Sequence, residues 1–338
     1  MKDVYILGVE TSCDETSISI VKNGTEEIYT TVLSQMDVHA NFGGVVPEVA
    51  SRMHTENITM VLEETLANAK MTMEQIDAIA VTYAPGLIGS LIVGLEFAKT
   101  LAYVYKKPLI KVHHIAGHIY SNNLVKPLEF PLLALVISGG HTDLIMMEGN
   151  YKFKPLGRTL DDAIGETFDK VARVVGLSYP GGPNLENLAK EGKPNLNFPV
   201  AMNDDSFNFS FSGLKSYIVN YVNNEKTKGN YVEKADVAAS FQVAAVKQLT
   251  NKVEAAITQF RVKNMIIAGG VSANEYLREE MTKLAEKYEV DLSIPPLRLC
   301  TDNAAMIAAA AFPLYYKGEF EKFSLNPKSQ EYFFEVKE

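Results

Sequence analysis

The strongest constraint on the fold of this 338-residue chain is that one succession of elements can be read in it twice. Residues 4–9 form an apolar run, Glu10-Thr11-Ser12-Cys13-Asp14-Glu15 a small polar turn, and residues 16–21 an alternating run. Residues 132–137, Ser138-Gly139-Gly140-His141 and residues 142–147 repeat that order. Continuous apolar runs suit strands buried on both faces, and alternation suits a strand with one face covered. Each half then predicts a long amphipathic helix (47–68; 234–260), a strand (76–83; 264–268) and a glycine-bearing turn, Ala84-Pro85-Gly86 or Gly269-Gly270. A second helix (90–105; 273–288) and a further strand (108–112; 290–295) follow, and the next helix begins near His114 in one half and near Asp302 in the other. A hairpin followed by αβαβα, twice over, predicts an α/β protein of two duplicated domains, related by a pseudo-twofold axis about a cleft. The boundary is expected at 125/126, giving domains 1–125 and 126–338, with extra material in the second near 157–228.

Composition narrows the class. A hydrophobic share of 47% and a charged share of 22% belong to a folded globular chain rather than a disordered one. No secretory leader is apparent at the N-terminus, and the longest clean apolar run, 304–314, is shorter than the roughly 20 residues that span a bilayer. Two cysteines, Cys13 and Cys300, support neither a disulfide framework nor a thiolate zinc cluster, so a cytoplasmic enzyme without a membrane partner is expected. A net charge of −9 argues against a generic nucleic-acid binder, so any RNA substrate would need a local basic patch or help from a partner. Lys152, Lys154, Arg158, Lys170 and Arg173 are the nearest approach to such a patch, although a solvated face is the simpler reading.

Chemistry concentrates where the repeat places helix starts. His114 and His118 are four apart in His113-His114-Ile115-Ala116-Gly117-His118, so one helical face presents both imidazoles. Asp302, at the equivalent place in the second half, would complete a two-histidine, one-carboxylate site from across the cleft, leaving coordination positions open. Plain packing for the histidines and helix N-capping for Asp302 are the competing readings. His113 and His141 read as structural, and His39 and His54 give no signal. The Ser138-Gly139-Gly140 turn suits a backbone nest for phosphate, or simply a hairpin turn. In Gly269-Gly270-Val271-Ser272-Ala273-Asn274, Asn274 has the donor and acceptor groups to read an adenine or ribose, while a capping role suits it or Ser272 equally. Glu166 and Asp169 share a helical turn and read most simply as solvent-facing. No Walker A pattern and no dinucleotide glycine fingerprint occur.

Taken in order, Gly8 to Thr16, Pro85-Gly86-Leu87, His114 to His118, Ser138 to Thr142, Gly165 to Lys170, Tyr179 to Pro183, Gly269 to Asn274 and Thr301 to Met306 resemble one family over essentially the whole chain. That is the tRNA adenosine threonylcarbamoyltransferase (TsaD/Gcp) family, of the actin, hexokinase and heat-shock ATPase superfamily. The resemblance implies a duplicated actin-like (ribonuclease H-like) ATPase fold. It also implies transfer of threonylcarbamoyl from threonylcarbamoyl-adenylate to the exocyclic amine of the adenosine 3′ of the tRNA anticodon, with release of AMP. By the same resemblance His114, His118 and Asp302 are ligands to one divalent ion per chain, iron with zinc as the alternative. Ile137, Ser138, Gly139, Gly140, His141, Asp169, Gly182 and Asn274 match substrate-binding positions, and Glu186 stands where the family often has Asp. The partners it implies are tRNA, a paralogous TsaB-type subunit and a TsaE-type P-loop ATPase. Glu10, with Asp14 beside it, is a weak candidate for polar or base chemistry; no residue is assigned as the general base, and neither cysteine has a functional account.

Three other readings compete. A zinc protease would place Glu directly after the first histidine, where this chain has Ile115. An actin-like-fold ATPase or small-molecule kinase suits the glycine turns, but a His-His-Asp site would replace hydrated magnesium oddly. A non-catalytic scaffold sits poorly with the full set of motifs.

Overall fold

The computed structural model describes residues 2–202 and 204–331. They form two compact units, one of residues up to 128 together with those from 295 on, the other of residues 129–294. In the first unit, strands β1 (Tyr5–Glu10), β2 (Glu15–Lys22), β3 (Glu26–Ser34), β4 (Ala78–Ala84) and β5 (Leu109–His113) lie in the order β3-β2-β1-β4-β5. In the second, β6 (Leu132–Ile137), β7 (Thr142–Gly149), β8 (Lys152–Arg158), β9 (Asn264–Ala268) and β10 (Asp291–Ser293) lie in the order β10-β9-β6-β7-β8. Reversed, the second order is the first. Each sheet pairs three antiparallel strands with two added in parallel, so the duplication read in the sequence is present strand for strand.

The repeat carries a third strand that the sequence pattern did not show. Both β3 and β8 are edge strands whose residues are largely exposed or half-exposed, and an edge strand needs neither an apolar run nor strict alternation. The central strands behave as expected: five of the six β1 residues and all of β6 are buried, feeding cores around Leu7, Val9, Ile79 and Leu95 in one unit and around Leu133, Ile137, Phe168 and Phe241 in the other.

The segment from 295 onward does not join the second unit, where the expected domain 126–338 would put it. Its helix, Ala304–Lys317, is buried continuously from Ala304 to Ala311 and packs on β1, β2 and the helix His114–Ser121. Small residues make this packing close. A methyl group on Gly117 would lie 2.8 Å from Ile307 Cδ1, and one on Gly8 would collide with the Ala304 carbonyl. An alanine-rich helix apolar on all sides belongs inside a core, and the glycines of the first unit open that place for it.

The helix Ile88–Tyr105 is long and apolar enough to cross a membrane by length and composition, although Glu96 and Lys99 interrupt its apolar run. Its buried face, including Leu91, Leu95, Ala98 and Ala102, packs on β4 and on the helix Pro47–Ala69. The insertion near 157–228 holds the helices Ile164–Val174, Gly181–Glu191 and Ser212–Thr227 around an irregular stretch. Of the basic residues there, Lys170 is paired, its Nζ 2.7 Å from Glu166 and 3.0 Å from Asp162.

Candidate functional site

Strand β5 ends at His113, and the chain turns directly into the helix His114–Ser121. His113 caps that helix, its Nδ1 accepting from Ile115 N at 3.2 Å. Burial pushes its imidazole down to about 4, so it stays neutral, in keeping with a structural role. His114 and His118 follow on one face, 10% and 0% exposed at their side chains. At the start of the other helix Asn303 is the N-cap, its Oδ1 accepting from Met306 N at 3.0 Å. Asp302 is thereby released from capping. Its Oδ1 lies 3.4 Å from His114 Nε2 and 3.2 Å from His118 Nε2, and one ligand atom from each of the three residues lies within 4.8 Å of the others. All three residues belong to the first unit, so the expectation that Asp302 reaches the histidines from the other domain is corrected. The burial of the Ala304–Lys317 helix in the first core is the reason.

The donor set fits a divalent cation. Neither ring nitrogen of His118 makes a hydrogen bond among the described residues, although its Nε2 is close to Asp302 Oδ1. Two nitrogens and a carboxylate oxygen thus converge without the alignment of a hydrogen bond. Leaving a buried polar atom unpaired costs about 1–3 kcal/mol, which an ion at the point of convergence would offset. Electrostatics agree. Burial alone would lower the His114 imidazole, but Asp302 and Glu10 outweigh it and hold it well above the ordinary histidine value. Burial lowers His118, with the neighbouring His114 adding to the effect. Asp302 would be raised by burial, yet the two imidazoles keep it far below the usual carboxylate range. Two carboxylates beside the imidazoles thus call for positive charge, as a cation or as a proton.

Glu10 is the second carboxylate. It is 0% exposed, and both of its oxygens have partners: Oε1 accepts from Ser12 N at 2.6 Å, and Oε2 from Thr82 Oγ1 at 2.5 Å. Nδ1 of His114 is 3.3 Å from Oε2 and 3.2 Å from Ser12 Oγ. Asp14, also buried, gives Gln35 N a backbone carbonyl at 3.0 Å. His39 and His54, silent in the sequence, belong to a buried network: His54 Nε2 donates to the Cys13 carbonyl at 2.9 Å, and Gln35 links the two rings. Burial pushes the Cys13 thiol well up, which disfavours its thiolate, and Cys300 is fully buried.

The remaining sequence candidates lie in the second unit, around the carboxyl ends of β6 and β9. Adjacent parallel strand ends of this kind are where α/β sheets bind ligands. Ile137, 0% exposed, ends β6 and leads into Ser138-Gly139-Gly140-His141. The turn is closed by Ser138 N donating to the His141 carbonyl at 2.9 Å and by His141 N donating to Ser138 Oγ at 3.1 Å. A methyl on Gly139 or Gly140 would meet nothing within 4 Å, so both face open space. The helix Ile164–Val174 begins against this turn, because Gly165 lets the Ser138 carbonyl approach where a methyl would lie 2.5 Å away. One turn along that helix Asp169 Oδ1 accepts from Gly182 N at 3.1 Å, tying the starts of two helices together. Burial raises its carboxyl against the pull of the Gly182 and Gly181 amides.

Glu186 and Asn274 meet at the helix Glu275–Tyr288. Asn274 is its N-cap, with Oδ1 accepting from Leu277 N at 2.8 Å and Nδ2 donating to Gln242 Oε1 at 3.0 Å. Glu186 Oε1 accepts from Glu275 N at 2.7 Å, and burial raises this carboxyl. Ser272, the other residue weighed as a cap, leaves its buried hydroxyl without a partner among the described residues. Sequence reasoning missed Asn303, Thr82 and Gln242. Asn303 had a readable signal, a capping residue directly before an alanine-rich helix. Thr82 and Gln242 act across the fold and had none. A cavity of about 590 Å³ beside Gln248, Lys252 and Glu254 is bordered by none of the candidates.

A family model described as TsaD, tRNA N6-adenosine threonylcarbamoyltransferase, matches residues 27–309. Proteins named tRNA N6-adenosine threonylcarbamoyltransferase from Anoxybacillus flavithermus and Staphylococcus aureus are 53% and 52% identical to this chain. The alignments cover 96% and 97% of this chain and 96% of each relative. Among solved structures, HypF from T. kodakarensis is similar with a TM-score of 0.65 at 16% identity, over 94% of this chain and 48% of that one. The (R)-2-hydroxyglutaryl-CoA dehydratase component A of Acidaminococcus fermentans gives a TM-score of 0.54 at 17% identity, over 93% and 99%. These two likenesses concern the fold alone, and with the doubled strand order they identify the duplicated actin-like ATPase fold.

Proposed function

Because the chain belongs to the tRNA N6-adenosine threonylcarbamoyltransferase family, we propose that it passes threonylcarbamoyl from threonylcarbamoyl-adenylate to N6 of the adenosine following the tRNA anticodon. It is a tRNA-modifying transferase. In the proposed reaction the N6 lone pair attacks the carbamoyl carbonyl carbon. The bond from that carbon to the phosphate oxygen breaks, AMP leaves with the electron pair, and N6 gives up a proton. A mixed anhydride is already activated, so the protein's task is positioning and charge stabilisation rather than nucleophilic catalysis. The Cys13 thiol, which burial pushes up, agrees with this.

His114, His118 and Asp302 are the residues that would hold one divalent ion, iron or zinc. Such an ion supplies Lewis-acid stabilisation of developing oxygen charge. The observation that carries this reading is the buried His118, its ring nitrogens without hydrogen bonds beside a carboxylate. In the second unit we assign the adenylate to the end of β6. The Ser138-Gly139-Gly140-His141 turn after Ile137 offers open backbone to a phosphate, and Asp169 and Gly182 border it through the helix that starts at the turn. Asn274 spends its amide on Leu277 and Gln242, so its contribution is to fix the Gly269–Asn274 turn. Glu186 gives one oxygen to Glu275 N beside Asn274, and its carboxylate is the group we assign to a ribose hydroxyl. The reaction is assigned to the cytoplasm, with a TsaB-type paralogue and a TsaE-type ATPase as partners of this acidic chain.

The test supplies the protein and these partners with threonylcarbamoyl-adenylate and unmodified tRNA, and measures nucleosides by mass spectrometry. Threonylcarbamoyladenosine should form with the wild-type chain and not with His114→Ala. No product from metal-loaded protein, with ATP turnover in its place, would favour an actin-like ATPase or kinase.

A further inference from the structure

We infer that Glu10 is a positioning residue of the metal centre: with Ser12 it grips His114 through Nδ1, commits Nε2 to the ion, and makes His114 and His118 unequal ligands. This rests on the metal reading above.

Glu10 reaches its place through the sheet. It is the last residue of β1, and the parallel register pairing Val9 with Val81 brings Thr82 alongside it. The Thr82 hydroxyl holds Oε2 at 2.5 Å while the Ser12 amide holds Oε1 at 2.6 Å, so the carboxylate cannot turn away. A fully buried carboxylate fixed at both ends has no face for a substrate proton; the free direction left to Oε2 is toward His114 Nδ1, 3.3 Å away. A ligating imidazole is neutral, because an ion takes the place of one ring proton; it carries its one remaining proton on the other nitrogen, and an ionised carboxylate only accepts. The proton therefore sits on Nδ1 and the lone pair on Nε2, the nitrogen that faces Asp302 Oδ1. A carboxylate behind a ligating histidine fixes ring orientation and raises the basicity of the ligating nitrogen. His118 has no such support, since its Nδ1 makes no hydrogen bond among the described residues. The same ligand type thus occurs once supported and once bare.

The experiment titrates metal-free wild-type, Glu10→Gln and Thr82→Val protein with Zn2+ and Co2+ against a competing chelator at one fixed pH. It also records the Co2+ ligand-field spectrum and the thermal stability of the metal-free forms. Glu10→Gln should weaken binding by on the order of 10–100-fold and shift the Co2+ bands. Thr82→Val, which keeps every ligand and the carboxylate, should change both in the same sense and less. Wild-type affinity with an unshifted spectrum in Glu10→Gln overturns the inference. So does a loss of metal-free stability without a spectral change, because that marks Glu10 as a folding residue only. Should Glu10→Gln fail to fold, an unchanged affinity and spectrum in Thr82→Val overturns it. Failure of the wild-type chain to bind either ion would instead remove the metal reading itself.

Discussion

In the first unit the turn between β1 and β2 is stitched down. Thr11 Oγ1 donates to the Ser90 carbonyl at 2.8 Å, Leu87 N to the Ser12 carbonyl at 2.8 Å, and Thr11 and Ser12 are each 2% exposed. In the second unit the topologically equivalent turn between β6 and β7 is closed on itself by Ser138 and His141, and its two glycines face open space. One strand order delivers both turns to the carboxyl end of a central strand. Side-chain size and charge then decide what each becomes. The first is a buried polar frame behind the proposed metal site; the second is bare backbone, where the anion is proposed to sit. The duplicated scaffold is thus finished differently in its two copies.

The largest effects should fall on the ligands. Asp302→Ala should lose the bound ion and at least a hundredfold in turnover, as removal of a ligand and its charge stabilisation would. Asp169→Ala should keep the full metal content while its KM for the adenylate rises. Metal analysis beside steady-state kinetics checks both, and loss of metal in Asp169→Ala would break the division of labour. Next come the glycines. Gly86→Ala places a methyl 2.6 Å from the Ser12 carbonyl and should destabilise the protein by about 1–3 kcal/mol in denaturant unfolding. Gly139→Ala meets no atom and should leave stability within about 0.5 kcal/mol, while raising the adenylate KM. Equal destabilisation by the two would erase the contrast between a packed turn and an open one.

The sequence made the central strands and the repeat legible, because a strand buried on both faces leaves a continuous apolar run, as at Leu132–Ile137. Edge strands β3 and β8 leave no such mark. The spacing of His114 and His118 placed both imidazoles of the candidate site on one face, since i,i+4 geometry is local. The unit that holds Asp302 was not legible. Nothing local to Thr301-Asp302-Asn303 says that the next helix will be drawn into the first core; that follows from Gly8 and Gly117, nearly 300 and nearly 200 residues away, leaving space for it. The support behind His114 was hidden for the same reason, because Glu10 and Thr82 meet only through strand register.

Asn274 separates a packing role from a contact role in the second unit. Asn274→Ala removes the cap on Leu277 N and leaves the buried Gln242 amide without its partner. A lost cap costs about 1 kcal/mol and an unpaired buried polar group a similar amount, so about 2 kcal/mol should be lost in thermal or denaturant unfolding. Unchanged stability with a raised KM would return Asn274 to direct substrate contact.

The smallest effect concerns a second pair of carboxylates, one beside each turn, whose surroundings act in opposite directions. Burial would raise Glu10, but the His114 imidazole and the hydrogen bonds around it hold it below its ordinary value. Asp143, one residue past the start of β7, is pushed up to about 6 by burial, with only its cross-strand neighbour Arg158 pulling the other way. A carboxyl whose folded value lies above its unfolded value near 4 binds its proton more tightly in the folded chain. Its contribution is therefore full below about pH 4 and is lost as pH rises through about 6, leaving a buried charge at neutral pH. Asp143→Asn should stabilise the protein at pH 7.5 by roughly 1 kcal/mol, discounted from the full linkage value because the side chain is only partly buried, and should give no gain at pH 4. Unfolding midpoints across that range check the sign. A gain that is flat with pH would mean the second unit accommodates its buried carboxylate as well as the first accommodates Glu10, and that the two turns differ in shape but not in electrostatic support.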